Sequence, residues 1–170
     1  NNKAYLYFGG TAYLGLPTNP IFQKTLVNSI AKWGSFYGSS RNSNIKLSIF
    51  DKAENLFAKQ IETEKSLITS SGTLAGKMVL EYLSKTENLF YHYPKTHPAI
   101  VHSKSVPLFE NGALHQNLLN DKKESIVITV DAVLALEVFP TSFDFLNDIS
   151  TYKEVTLVVD ESHSLGFLGQ

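Results

Sequence analysis

The stretch Val155–Gly166 reads VTLVVDESHSLG and places an acidic residue, Asp160, directly after a mainly apolar run. Short apolar runs rich in β-branched residues are typical of strands covered on both faces of a parallel sheet. In open sheets of this kind, ligands bind outside the carboxyl ends of the strands. The stretch therefore predicts an α/β fold with functional residues, Asp160 first among them, directly after its strands.

Strand and helix signals alternate through the chain N-terminal to this stretch. Further strands are predicted at Ser66–Thr69, Leu89–Tyr93, Val106–Phe109 and Ile126–Val130. Helices are predicted at Ser48–Thr63, Gly72–Ser84, Gly112–Leu119 and Phe143–Thr151, with a short one at Ile100–Ser103 and a first one capped by Thr18 or Asn19 before Pro20. The alternation indicates a three-layer αβα fold with a mainly parallel sheet, preceded by an N-terminal arm and helix.

Composition narrows the class of protein. The 170 residues are 43% apolar and 18% charged, which is typical of a globular chain, and we divide them into residues 1–47, with arm, helix and loop, and a large domain at residues 48–170. A net charge of −1 indicates neither a nucleic-acid nor a membrane partner. The absence of cysteine excludes disulfides, thiolate metal sites and a cysteine nucleophile, and cytoplasm is the expected location.

A turn of small residues precedes the helix predicted from Gly72. The stretch Thr69–Gly76 reads TSSGTLAG. A helix N-terminus offers unpaired N–H groups and partial positive charge, so Ser71, Gly72, Thr73 and Leu74 are candidates for holding a phosphate. A plain strand–helix turn explains the same residues without a ligand.

Asp160 is open to several interpretations. At the end of a buried strand it could accept a charge-assisted hydrogen bond from a pyridinium N–H. Val-Asp-Glu after a strand is also similar to the magnesium-binding acid of nucleoside triphosphatases, but the chain has no Gly-x-x-x-x-Gly-Lys-Ser/Thr loop. A helix cap or an ordinary loop acid is the remaining alternative.

The five histidines do not have metal-ligand spacing, so we expect no metal site. His97 lies in a Thr-His-Pro turn after a predicted strand, where its ring could face a cofactor, whereas His115 falls on a predicted helix. A Ser-His-Asp hydrolase is conceivable, but the chain lacks a Gly-x-Ser-x-Gly elbow.

Taken together, these motifs resemble the α-oxoamine synthase family over nearly the whole chain. The matching stretches are Tyr5–Leu16 (family N-F-x-S-N-D-Y-L-G-L), Tyr37–Arg41 (G-x-G-G-S-R), Ala53–Ala58 (L-E-x-x-L-A), Thr69–Gly72 (F-x-S-G) and Val159–Gly166 (V-D-D-A-H-G-x-G). His97 follows Gly72 by 25 positions (97 − 72), the separation expected of the family's ring-stacking histidine.

The resemblance implies a pyridoxal 5′-phosphate (PLP) enzyme. The predicted cofactor-binding residues are Ser71, Gly72, Thr73, Leu74, His97, Asp160 and His163, and the predicted substrate residues are Tyr13 and Arg41. Asp160 would pair with the pyridine nitrogen, His97 would stack on the ring, and His163 would contact the phenolic oxygen or the substrate. These three are also the predicted catalytic residues.

The implied reaction is condensation of an amino acid with an acyl-CoA to give an α-oxoamine. An aminotransferase that acts on a keto acid, or another PLP-dependent relative, is the alternative, and a non-catalytic member is a third possibility. The departures from the family bear on this choice. Ala135, or Leu134 under a shifted alignment, stands where the family has a cofactor-bonding serine, and Phe50 stands where it has a histidine.

The family's Schiff-base lysine lies beyond its V-D-D-A-H-G-x-G motif, and this chain ends before that position. We therefore expect these 170 residues alone to be inactive. The family also implies a homodimer, and the aromatic arm at Tyr5–Leu16 is too apolar to lie free in water.

Overall fold

The computed structural model describes residues 3–6 and 10–166, and the chain divides after Ile68 into two compact units. Tyr7, Phe8 and Gly9 of the predicted arm lie outside the described residues. The predicted division into residues 1–47 and 48–170 stays a prediction.

The first unit contains two α-helices, α1 at Pro20–Trp33 and α2 at Ser48–Gln60, with a 3-10 turn at Leu16–Thr18. The predicted start of α1 is confirmed, because the Asn19 side chain caps it by accepting hydrogen bonds from the N–H groups of Ile21 and Phe22. α1 buries none of its residues, and α2 buries only Ala58.

The strand predicted at Ser66–Thr69 is wrong, because side chains of the first unit occupy the backbone groups that a strand would use. The Ile68 N–H donates to Glu54 Oε1 at 2.8 Å, and the Ile68 carbonyl accepts from Arg41 Nη1 at 2.8 Å. The Ser66 hydroxyl donates to the Glu54 carbonyl at 2.8 Å. The segment is therefore extended but unpaired with any strand of the described residues.

The second unit holds the sheet. Its helices are α3 at Gly72–Leu83 and α4 at Gln116–Leu119, with 3-10 turns at Pro98–Ile100 and Asp144–Asp148. Its strands are β1 at Leu89–His92, β2 at Val106–Pro107, β3 at Phe109–Glu110, β4 at Ala113–Leu114, β5 at Glu124–Asp131 and β6 at Lys153–Asp160.

Four of these strands form a parallel sheet in the order β2-β1-β5-β6, and β3 and β4 form a separate antiparallel pair. Side chains of β1 and β5 alternate between two buried clusters. One contains Tyr91, Leu108, Leu118, Ile126, Ile128, Phe145 and Ile149, and the other contains Leu80, Phe90 and Val127. Because α3 supplies Leu80 and elements after β1 supply the first cluster, both faces are covered. The predicted three-layer α/β fold is confirmed.

Two predicted helices are shorter than the sequence pattern indicated. Gly112–Leu119 was expected to be helical, but Asn111 and Gly112 have φ of 52° and 81° and form the two-residue turn between β3 and β4. Asn-Gly favours this turn because both positions need positive φ. The predicted helix at Phe143–Thr151 is reduced to the 3-10 turn at Asp144–Asp148.

Two smaller predictions also need correction. The short helix expected at Ile100–Ser103 is instead the 3-10 turn that begins at Pro98. The strand expected at Val106–Phe109 is interrupted, since β2 ends at Pro107 and β3 begins at Phe109. The Leu108 N–H between them donates to the His92 carbonyl at 2.9 Å.

Candidate active site at the carboxyl end of the sheet

The central feature is a pair of acids at the ends of neighbouring strands. Asp131 is the last residue of β5 and Asp160 the last of β6, and the two are register partners in the parallel ladder. Partners in register lie on the same face of a sheet, at strands about 4.8 Å apart. The β6 terminus is fixed by a hydrogen bond from the Ala132 N–H to the Asp160 carbonyl at 2.9 Å. The fold therefore places two acidic residues side by side at the carboxyl ends of neighbouring strands.

Asp131 is buried, with 2% of its surface exposed. Burial raises the pKa of Asp131, the hydrogen bond from the His97 N–H lowers it, and the negative charge of Asp160 raises it further. Electrostatic interactions with His97 and with His163 lower the pKa of Asp131. The three predicted catalytic residues, Asp160, His97 and His163, thus all lie within electrostatic reach of Asp131.

The turn that follows β1 carries His97 and is tied to β5. The Thr129 carbonyl accepts from the Tyr93 N–H at 2.9 Å and from the Thr96 hydroxyl at 3.4 Å. The His97 N–H donates to Asp131 Oδ1 at 3.1 Å. The His97 ring is exposed, and its Nδ1 accepts from the Ala99 N–H at 3.2 Å, which fixes the ring at the start of the 3-10 turn. Stacking of this ring on a cofactor stays a prediction.

The predicted phosphate-binding residues form the start of α3. Ser71 is the N-cap, and its hydroxyl accepts from the Leu74 N–H at 3.2 Å. The first N–H groups of an α-helix have no carbonyl acceptor within the helix, which leaves those of Gly72 and Thr73 for an external acceptor. Residues 71–74 are exposed. Their role in binding phosphate stays a prediction.

α3 runs antiparallel to the strands. Near its middle, a Cβ built on Gly76 would lie 2.6 Å from the Ala99 carbonyl oxygen, in the turn after the carboxyl end of β1. Its last residue, Leu83, lines a cleft together with Leu89 and Glu124, the first residues of β1 and β5. The N-terminus of α3 is therefore directed toward the edge of the sheet where Asp131 and Asp160 lie.

The loop after β6 is held by its own side chains. Asp160 Oδ1 accepts from the Ser162 N–H at 2.9 Å, and Asp160 is half-buried. Ser164 is buried and its hydroxyl donates to the Glu161 carboxylate. His163, between them, is half-buried. One carboxylate oxygen of Asp160 is therefore bonded to the backbone of its own loop.

The two predicted substrate residues belong to the first unit. Arg41 forms a bidentate ion pair with Glu54 at 2.8 and 3.1 Å, and its guanidinium also reaches the Ile68 carbonyl. The hydrogen bond with Arg41, and then that with the Ile68 N–H, lowers the pKa of Glu54. Tyr13 lies in the turn after Ala12 and is 51% exposed. Substrate contacts of Tyr13 and Arg41 stay predictions.

Asp131 was not among the predicted site residues, although the sequence contains its signal. It follows the apolar run Ile126–Val130 directly, in the same way that Asp160 follows Val155–Val159. Two strands that end in an acid predict two acids at one edge whenever the strands are parallel neighbours. Applied to both strands, the reasoning used for Asp160 finds Asp131.

The described residues contain no group of three histidine, aspartate or glutamate side chains arranged to hold a metal ion. Within the same residues, no helix has both the length and the apolar character required to cross a membrane.

No protein-family model matches the chain. It is 30% identical over 183 residues to a protein of Methanococcus aeolicus that is provisionally named 8-amino-7-oxononanoate synthase, covering 99% of this chain and 47% of the relative. It is 24% identical to the 8-amino-7-oxononanoate synthase of Lysinibacillus sphaericus, covering 99% of this chain and 46% of that protein. It is 21% identical to the serine palmitoyltransferase of Sphingobacterium spiritivorum, covering 100% of this chain and 45% of that protein.

The chain spans about half the length of the curated relatives it matches. The matches cover the chain from one end to the other, and so do the sequence motifs. Together with the parallel sheet and the acid that ends β6, these similarities place the chain in the α-oxoamine synthase family.

Proposed function

We propose that the protein containing this chain binds PLP at the carboxyl end of the sheet and condenses an amino acid with an acyl-CoA. The observation that carries the proposal is the pair of register partners Asp131 and Asp160, which ends neighbouring strands in a chain related to 8-amino-7-oxononanoate synthases and serine palmitoyltransferase. The relatives' names supply the reaction class, and the strand ends supply residues suited to the cofactor.

The donor set of the site fits PLP. Within the described residues, neither Asp131 nor Asp160 is paired with a lysine or arginine, whereas Glu54, Glu124 and Glu137 each are. Carboxylates that have no lysine or arginine partner favour a positively charged ligand group, such as a protonated pyridine nitrogen. The exposed N-terminus of α3 supplies the opposite preference, for an anion such as a phosphate.

Each residue then has a separate task. Asp160 would accept the pyridinium N–H and keep that nitrogen protonated, the N–H groups at the start of α3 would hold the phosphate, and His97 would cover one face of the ring. The bound cofactor supplies the electron sink that stabilises a carbanion at the α-carbon of the amino acid. The protein contributes orientation and charge, because three fixed contacts remove most of the ring's freedom before reaction.

Cofactor binding is tested on the complete protein with two matched threonine variants. Thr73→Asp puts a carboxylate at the N-terminus of α3, which favours the helix but repels a phosphate, and PLP affinity should fall by more than about tenfold. Thr86→Asp makes the same change beyond the other end of α3 and should bind PLP as wild type does. Equal affinity of wild type and Thr73→Asp would refute the phosphate site.

The reaction is tested separately, by release of free CoA from acyl-CoA in the presence of each amino acid. CoA release that depends on PLP and on one amino acid supports the condensation. Ala135 favours the alternative, an aminotransferase, since it stands where the family has a cofactor-bonding serine. Amino-group transfer to a keto acid without CoA release would establish that alternative.

We also propose that the complete protein is a cytoplasmic homodimer. Support comes from the family resemblance and from the apolar arm, where Tyr5 and Leu6 are 82% and 86% exposed. Water-exposed apolar groups of this kind favour burial against another surface. Light scattering at micromolar concentration checks the dimer, and a monomer would contradict it.

A further inference from the structure

We infer that Asp131 is a positioning residue of the proposed cofactor site, which fixes the His97 ring by accepting the His97 N–H. The inference rests on the proposed function and extends it to a residue that the sequence motifs do not assign. Asp131 need not touch the cofactor for this role, since it acts through the backbone of the His97 turn.

The first step is the anchorage of the turn. Residues 93–97 leave β1 and are bonded to β5 at three points, of which the Asp131 contact is the last before the ring. The other two contacts bind Tyr93 and Thr96 to the Thr129 carbonyl, so they hold the beginning of the turn. Only the Asp131 carboxylate holds the His97 backbone itself to the sheet among the described contacts.

The second step is the ring. His97 Nδ1 accepts from the Ala99 N–H at 3.2 Å, and the His97 backbone that carries this ring is extended, with φ of −60° and ψ of 133°. A ring held at Nδ1 by a backbone N–H carries its proton on Nε2 when neutral. The Asp131 contact therefore holds the His97 backbone to the sheet, and the Ala99 contact holds the ring to that backbone.

The third step is the cost of this arrangement. A carboxylate that is 2% exposed loses most of its hydration, and the acid at the end of β6 adds repulsion. A buried neutral side chain would form the end of β5 without that cost. The N–H of His97 is the hydrogen bond that the buried carboxylate receives in return.

The experiment is a double-mutant cycle between Asp131→Ala and His97→Ala in the complete protein, with PLP affinity and the circular dichroism of bound PLP as readouts. Asp131→Ala alone should weaken PLP binding by about tenfold, the loss of one hydrogen bond to a charged group. In the His97→Ala background the same change should have no further effect, because the ring that Asp131 positions is gone. An equal effect in both backgrounds would overturn the inference, since Asp131 would then act on the site without His97.

A conservative variant separates hydrogen bonding from charge. Asp131→Asn keeps an oxygen that can accept the His97 N–H, so PLP affinity and dichroism should stay near wild type. If Asp131→Asn is as impaired as Asp131→Ala, the hydrogen bond is not what matters and the inference fails.

A readout that needs neither PLP nor the alanine variant keeps the two proposals apart. Hydrogen exchange of the unsubstituted protein should show the His97 N–H protected although its side chain is exposed, and Asp131→Asn should preserve that protection. Wild-type protein that binds no PLP refutes the proposed function, and an unprotected His97 N–H refutes the positioning role whether or not PLP binds.

Discussion

The neighbouring strands β5 and β6 carry very different pairs of residues at their amino and carboxyl ends. At the amino end, Glu124 of β5 faces Lys153 of β6 in register, and the two form an ion pair at 2.8 Å with the Lys153 ammonium fully buried. At the carboxyl end, Asp131 faces Asp160 in the same register, so two acidic residues are paired. One ladder therefore begins with an acid paired with a base and ends with a pair of acids.

The amino end is a satisfied structural contact. The Lys153 ammonium donates to the Asn120 side chain, the Lys122 carbonyl and the Glu124 carboxylate, at 2.7 to 2.8 Å. Hydrogen bonds from Lys122, then from Lys153, lower the pKa of Glu124, whereas burial raises that of Asp131. Folding energetics alone favours the first arrangement, and a pair of acids at the ends of neighbouring strands is the kind of feature from which the cofactor site is proposed.

The strongest expected effect is on catalysis at the carboxyl end. Asp160→Asn keeps the shape of the side chain but removes the anion proposed to face the pyridinium nitrogen. We expect activity of the complete enzyme to fall by about a thousandfold, comparable to the loss of a main electrostatic contact to a transition state. Thermal stability should not fall, because the substitution also removes the repulsion between Asp160 and Asp131.

The matched control is Asp148→Asn, the same substitution at an exposed aspartate of the second unit. Its activity should equal that of wild type in the same steady-state assay. If Asp160→Asn is as active as this control, the carboxyl ends of β5 and β6 do not have the proposed role in catalysis.

The amino end should show the reverse pattern. Lys153→Met removes a buried ammonium with three hydrogen bonds and leaves Glu124 with Lys122 as its remaining cation. We expect the free energy of unfolding to fall by about 2 kcal/mol, measured by denaturant titration, with PLP affinity unaltered. Lys123→Met, at the exposed neighbouring lysine, should change neither quantity. A Lys153→Met protein of normal stability but weakened PLP affinity would reverse the assignment of the two ends.

Whether the sequence predicts a feature of these two strand ends depends on how far apart along the chain the contacting residues lie. The apolar runs of β5 and β6 and the cap at Asn19 are local, and they are predictable from neighbouring residues. The burial of Asp131 and the pairing of Glu124 with Lys153 depend on register between strands 29 residues apart, which no local pattern contains.

The wrong predictions have two different causes. The Asn111-Gly112 turn carries a local signal that outweighs the apolar spacing of a helix. The absence of a strand at residues 66–69 follows from the bonds of Ile68 with Glu54 and Arg41, 14 and 27 positions away, and is not local.

A moderate effect is expected from Gly76→Ala, which acts on the carboxyl end through packing. The added Cβ would lie 2.6 Å from the Ala99 carbonyl oxygen and 2.9 Å from Ile100 Cγ2, so the turn after His97 must shift. Because alanine also favours a helix over glycine, the net loss of unfolding free energy should be only about 1 kcal/mol. PLP affinity should fall with it, in contrast to Lys153→Met. Lys77→Ala, one position along α3 at an exposed side chain, is the control, and normal PLP affinity of Gly76→Ala would show that the His97 turn tolerates displacement.

The smallest effect is the opposite pH dependence of stability at the two ends. The pKa of Asp131 is raised by folding, so its contribution to stability is present at acidic pH and is lost as the pH rises from the unfolded pKa through the folded one. The pKa of Glu124 is lowered, so its contribution is present above the unfolded pKa and is lost as the pH falls through the folded one.

Melting temperatures of the PLP-free protein between acidic and neutral pH measure both slopes. Asp131→Asn should lose less stability than wild type as the pH rises, and Glu124→Gln should lose less as it falls. The slope removed by Asp131→Asn should itself be smaller in an Asp160→Asn background, because the repulsion between the two acids is one cause of the raised pKa. If Asp131→Asn and wild type have parallel pH profiles in both backgrounds, the acids at the carboxyl end do not interact, and the contrast between the two ends of the ladder is one of position only.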